Sequence, residues 1–393
     1  MTISRRRFLR TTGAALSAPF CIKFLGDKAR AALVTPEYLV PFIDSKFGTK
    51  VVKVTNPNNP IPGLNIIWGK VATHHYSSDQ AWNADQSLLM MGKGTSGKLF
   101  IDGTTYVPVM NLKSPGDVRW HQTDPSLMVF LGKAGIGYWN VQKKTTQVVD
   151  ALSGYTGPNW GDNKGNLSDD GTMLAVAATR SDGKKVVFAY DLVSGTKYPD
   201  IDMSGWYDVG WTTISPQGTY VVTYSQKTST STNHRLIFTL DGQLVQDWPE
   251  YERPGHGDFM VDDNGNEIAI GRSKSDSYRL ITRRLVDGSI DFISAPCKAS
   301  HISARNLDPE WVFGSFTQGA LKSNQLPCSN EITAVSTDGT QTLRRLAQHN
   351  SVDNGYDTEP HGSPSPDGKR AVFASNWGDP TGPVAAYVAE FPL

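Results

Sequence analysis

The sequence predicts an all-β fold: a seven-bladed β-propeller closed by its N- and C-terminal strands. Three observations predict it. A polar turn followed at once by a short apolar strand recurs seven times, the copies are spaced by about one four-stranded blade, and an alternating segment before the array and an apolar one after it are left over to close it.

The first copy sets Asn83-Ala84-Asp85-Gln86-Ser87 before Leu88-Leu89-Met90-Met91, and the second sets Asp124-Pro125-Ser126 before Leu127-Met128-Val129-Phe130. The third and fourth are Asp169-Asp170-Gly171 before Met173-Leu174-Ala175-Val176 and Ser215-Pro216-Gln217-Gly218 before Tyr220-Val221-Val222. Asp262-Asp263-Asn264-Gly265, Leu307-Asp308-Pro309-Glu310 and Ser365-Pro366-Asp367-Gly368 open the last three. Aligned on residues 86, 125, 171, 218, 265, 309 and 368, the copies lie 39, 46, 47, 47, 44 and 59 residues apart. Gly and Asp belong at such turns because a tight hairpin demands positive backbone angles or side-chain capping. Second hairpins at Asp191-Leu192-Val193-Ser194-Gly195, Asp241-Gly242 and Asp338-Gly339 give each blade an inner and an outer pair. Each sheet exposes a face that only a neighbour can bury, so the array must close. Residues 50–55 are the expected fourth strand of the last blade, lying beside the C-terminal strand of residues 384–391.

The first 31 residues read as an address. Ser4-Arg5-Arg6-Arg7-Phe8-Leu9 precedes a mildly apolar stretch, and Ala29-Arg30-Ala31 offers the small residues of a cleavage site, in close similarity to a twin-arginine (Tat) export signal. Cleavage is expected after Ala31, leaving residues 32–393 as the propeller, periplasmic or secreted and without a membrane anchor. Lys plus Arg and Asp plus Glu both number 38, which argues against a nucleic-acid partner. A monomer is expected.

At Pro360-His361-Gly362-Ser363-Pro364-Ser365-Pro366-Asp367-Gly368, continuing to Phe373-Ala374-Ser375-Asn376-Trp377, the chain resembles the propellers related to oligogalacturonate lyase and, more loosely, the ulvan lyases. The likeness extends to Trp82-Asn83-Ala84-Asp85, while the Ser-Pro-Asp-Gly turn is shared with non-catalytic propellers of the TolB type. The resemblance implies a metal held by histidines of the late blades and an acidic oligo- or polysaccharide as substrate.

Position in the repeat also predicts position in space, because every innermost strand starts at one mouth of the central channel. His256, His301 and His361 precede their turn positions by nine, eight and seven residues, so three successive late blades each send one imidazole to about the same level. Cys297 lies four residues before His301, and imidazoles with a thiolate suit a divalent metal, Zn²⁺ first and Mn²⁺ as the alternative. Asp258 or Glu359 could supply an oxygen instead, and a Cys297–Cys328 disulfide competes with Cys297 as ligand.

The early blades carry a second polar group: His74-His75-Tyr76, Arg119-Trp120-His121, Trp160-Gly161-Asp162 and Trp206-Tyr207-Asp208. Their aromatic rings either stack on sugars or pack between blades, the latter being the reading for Trp211. Eliminating a uronate glycosidic link needs a carboxylate partner, a base and an acid. The candidates are Arg119, then His121 or His75, then Tyr207. A two-carboxylate hydrolase built on Asp162, Asp208 and Asp258 is a further enzyme class, and a binding propeller without catalysis is the alternative of another kind. No G-x-S-x-G, H-E-x-x-H or phosphate-loop motif occurs.

Overall fold

All seven turns lead into the second strand of a sheet, namely Leu88–Met91, Leu127–Gly132, Met173–Arg180, Tyr220–Gln226, Glu267–Arg272, Trp311–Phe316 and Arg370–Ser375. The turns share one chemistry. The hydroxyls of Ser168, Ser215 and Ser365 accept the amides of Met173, Tyr220 and Arg370 at 2.9 to 3.1 Å, and the Asn83 side-chain oxygen does the same for Leu88 at 2.8 Å. Gly171, Gly218, Gly265 and Gly368 hold φ between 66° and 78°, where a Cβ is disfavoured.

The computed structural model describes residues 33–162, 164–276, 278–295, 298–317 and 328–391. The export segment with its cleavage point, and Cys297, lie outside the described residues. The chain divides into two units, Met1–Val34 and Thr35–Leu393, and the propeller is the second.

Its seven sheets follow one another as blades. The second, fourth, fifth and sixth are four-stranded in simple sequential order, starting at Asp117–Trp120, Thr212–Ile214, Gly255–Val261 and Ala299–Ser303. In the first blade the innermost strand is reduced to the bridge between Trp82 and Leu89. In the third it is split: Tyr155–Asn159 pairs with the end of Met173–Arg180, Leu167 bridges Leu174, and the chain between them leaves the sheet. The seventh blade closes the ring as expected, with Lys50–Lys53 antiparallel to Val384–Glu390 in the register Lys50 opposite Glu390 and Val52 opposite Val388. A short Phe42–Ile43 strand flanks it. Among the described residues the helical content is one 3-10 turn, Tyr356–Thr358, and no helix is long and apolar enough to cross a membrane.

The second strands read as unbroken apolar runs because both of their faces are covered. Successive side chains point to opposite sides of a sheet, so Leu174, Val176 and Ala178 join Val129, Leu131 and Ile136 of the second blade, whereas Met173, Ala175 and Ala177 join Ile214, Val221 and Leu236 of the fourth. Trp160 packs in the first of these layers, and Trp211 lies between the fourth and fifth blades with Trp248 and Phe259. Burying each such side chain contributes about 1.5–3 kcal/mol, and every inter-blade layer repeats the gain.

Candidate functional site

The innermost strands are irregular where they begin, and the irregularities present the histidines. In the fifth blade the pairing slips between Gly255 and Asp258, and His256 sits in the slip at φ 49°. A Cβ on Gly257 would come within 1.7 Å of the Ile270 carbonyl, so Gly255-His256-Gly257 is the sequence signature of a bulge that turns the imidazole out of the sheet. The sixth blade slips in the same way between Ala299 and His301. In the seventh, His361 has φ 47° between Pro360 and Gly362, and the Gly362 amide donates to Ser315 Oγ at 2.7 Å. Left-handed backbone at a non-glycine residue costs about 1–3 kcal/mol and is retained where the surroundings impose it.

These bends bring His301, Glu359 and His361 together, one ligand atom from each lying within 4.8 Å of the others. Glu359 Oε2 is 3.4 Å from His361 Nε2 and 3.6 Å from His301 Nε2. Both imidazoles are buried, and among the described residues His301 Nδ1 and His361 Nε2 have no hydrogen-bond partner. Burial pushes the His301 ring well down from the ordinary imidazole range and the His361 ring below it, and mutual repulsion adds to the effect on His301. Glu359 is held below the usual carboxylate range, first by the neighbouring His361. Neutral nitrogens with an ionised carboxylate are the donor state a divalent cation requires, and orphaned buried nitrogens are what it would satisfy. The residues present therefore fit a metal ion. His74 Nε2 lies 2.6 Å from the His361 carbonyl and braces that segment from behind.

His256 stands beside this group, its ring 5.3 Å from that of His301, but it is exposed to solvent and outside the three-residue cluster. The packed walls of the mouth, and then Arg272, hold it below the ordinary range, so it is neutral near pH 7. A cavity of about 160 Å³ opens next to it, lined by Tyr76, Asp162, Lys164, Trp211, Tyr224 and Arg253 among others. Tyr76 lies edge-on to His301 at 5.2 Å and 5.0 Å from His361, with Lys164 4.7 Å above its face. Lys164 belongs to the excursion that splits the third blade's inner strand, and Tyr356, in the 3-10 turn, stacks on Tyr76 at 6.3 Å.

The early-blade candidates are placed differently. Arg119 is buried: its Nε donates to the Gly165 carbonyl at 2.8 Å and lies 3.1 Å from Asp79, and its Nη1 donates to the Val118 carbonyl. His75 is half-buried, with Nδ1 bonded to the same Asp79. His121 follows the far end of Asp117–Trp120, and its Nδ1 accepts the Asp124 amide at 3.1 Å, so it caps a turn at the opposite end of the blade from the histidine cluster. Tyr207 is 55% exposed over the outer strands of the third blade, against Lys185. Of the carboxylates, Asp208 accepts the Gln226 amide and Asp258 is buried against Arg305 at 2.8 Å, whereas Asp162 faces the cavity. Cys328 is buried in the core between the fifth and sixth blades, and with Cys297 outside the described residues both readings of that pair stand open. Sequence reasoning passed over Lys164 and Arg253, which lie between strands, and Tyr224 and Arg272, which lie toward the far ends of the second strands Tyr220–Gln226 and Glu267–Arg272.

No family model and no curated protein matches the chain. Its architecture is nonetheless that of a seven-bladed β-propeller. Among solved structures, an oligogalacturonate lyase in complex with manganese matches with a TM-score of 0.65 at 17% identity, covering 90% of this chain and 96% of that one. The oligogalacturonate lyase of Vibrio parahaemolyticus matches at 0.60 and 14%, with the same coverage. At these identities the likeness establishes the fold.

Proposed function

We propose that this protein is an exported, metal-dependent lyase that cleaves uronate-containing oligo- or polysaccharides by β-elimination. The observation that carries the reading is the pairing of a divalent-metal donor set, His301, Glu359 and His361, with a neutral, solvent-facing imidazole 5.3 Å away, at the edge of an aromatic and cationic cavity. The likeness to oligogalacturonate lyases, one of them in complex with manganese, supports it.

His301, Glu359 and His361 would hold Mn²⁺ or Zn²⁺, which when bound would supply positive charge for the substrate carboxylate and so make the adjacent C–H more acidic. His256 is assigned as the base in place of His75 and His121, because its ring is neutral and faces the cavity while theirs are engaged with Asp79 and with the Asp124 turn. Lys164 and Arg272 supply the positive field for an acidic glycan in place of Arg119, whose guanidinium is committed to Asp79 and Gly165. Tyr76 walls the site and excludes water from the buried imidazoles. The first 31 residues support export to the periplasm or beyond.

The test is a panel of pectic, ulvan-like and glucuronan oligosaccharides incubated with the purified full chain, followed by the ultraviolet absorbance of the unsaturated uronate. Activity that disappears on chelation and returns with Mn²⁺ is the expected result. Silence across the panel would move the assignment to a glycan- or protein-binding propeller.

A further inference from the structure

Tyr224 has an arrangement that the metal group does not explain. Arg235, on the third strand of the fourth blade (Asn233–Thr239), is fully buried, and its guanidinium is enclosed by the rings of Trp211, Tyr224 and Phe259 at 5.6, 4.9 and 5.0 Å. Among the described residues its Nε and Nη1 have no hydrogen-bond partner, and Nη2 donates to the Tyr224 hydroxyl oxygen. Arg253 Nη1 donates to the same oxygen at 2.5 Å. No carboxylate pairs with Arg235 among the described residues. The nearby Asp258 is already committed to Arg305 and to the amides of Ala304 and Phe259.

Of the two guanidiniums converging on this one phenol oxygen, Arg253 has a carboxylate beside it, Glu250 at 3.6 Å, but Arg235 has none, an unbalanced arrangement since a purely structural role would be met better by a carboxylate. The positive charge is matched when negative charge develops on the phenol oxygen. With both acceptor directions taken by arginine, the phenol's own proton is left to point away from them, and Tyr224 lines the cavity that His256 also lines.

We propose, resting on the lyase reading, that Tyr224 donates the proton to the departing glycosidic oxygen, with Arg235 and Arg253 as positioning residues that take up the charge left on its oxygen. The step balances. His256 takes the proton from the carbon bearing the carboxylate, that electron pair becomes the new carbon–carbon double bond, the carbon–oxygen bond breaks, and the leaving oxygen receives the Tyr224 proton. Water then reprotonates Tyr224 and accepts the proton held by His256.

The experiment compares two leaving groups on the full-length, Mn²⁺-loaded protein: an oligogalacturonide, whose alkoxide needs protonation, and a galacturonate carrying 4-nitrophenoxide at C4, which leaves without it. In Tyr224→Phe, kcat on the oligogalacturonide should fall about 10²-fold with KM little changed, while turnover of the nitrophenoxide substrate stays within about 5-fold. Arg253→Gln should show the same selectivity more weakly, about 10-fold against no loss. It carries the test if Tyr224→Phe does not fold. Equal losses on both substrates, or none on either, overturn the Tyr224 assignment while leaving the lyase reading intact. A wild-type protein silent on both overturns the lyase reading, and this one with it.

Discussion

Two polar clusters line the same channel and differ in what their valences are spent on. Among the described residues, His301 Nδ1 and His361 Nε2 have no hydrogen-bond partner, whereas the carboxylate of Asp79 is shared by the His75 imidazole, bonded to it, and the Arg119 guanidinium 3.1 Å away. Both contain histidine, a carboxylate and nearby cations. The difference teaches that residue type marks a cluster, but unmet bonding capacity marks the one that is free to act on something else.

The contrast is broken most severely by His301→Ala or His361→Ala. Each should abolish stoichiometric Mn²⁺ uptake, measured by metal analysis after dialysis, and lower turnover on the order of 10³-fold with the thermal midpoint little changed. Retained metal in either variant would remove that cluster from the working site. Arg119→Ala is expected to do the reverse. Leaving Asp79 buried beside a single imidazole should cost about 3–5 kcal/mol in urea unfolding, while the protein that remains folded still binds metal. A stable Arg119→Ala protein without activity would make the early cluster catalytic after all.

The smallest effect sharpens the meaning of buried, neutral imidazole. His349 is fully enclosed, its Nε2 is 3.0 Å from the Phe316 carbonyl, and burial pushes its pKa down to about 4. The unfolded chain, with a histidine near 6.5, binds the extra proton first as pH falls. Stability from this group is therefore present above about pH 6.5 and is lost as pH drops toward 4. His349→Gln should flatten the pH dependence of the urea midpoint over that window by about one proton. An unchanged slope would assign the effect to other buried histidines such as His74, which burial pushes down to about 3.

The ring was legible because its determinants are local and repeated. Each Ser or Asn cap, each left-handed glycine and each apolar run sits within a few residues of the next, and the leftover segments at 50–53 and 384–390 marked the closing pair. The histidine level was legible for the same reason, since distance from a turn converts directly into height along an inner strand. What escaped was geometry that interrupts the repeat. The bulge that aims His256 depends on a clash at Gly257, Lys164 reaches Tyr76 on a segment that leaves its sheet, and Tyr224 meets the buried Arg235 directly across the second and third strands of the fourth blade. Arg119 read as a carboxylate binder because its partner Asp79 lies 40 positions earlier, a pairing that exists only once two blades are stacked.

The seventh blade has one further consequence, in the order of time. Glu359 and His361 belong to the same last blade whose final strand, Val384–Glu390, mates with residues 50–53, so the proposed cation ligands and the sealed circle are completed in one late stretch of synthesis. A molecule cut short before residue 359 would possess neither. If the proposed site takes up metal, retention on a metal-charged column would separate molecules that reach the last blade from shorter fragments without reference to their activity.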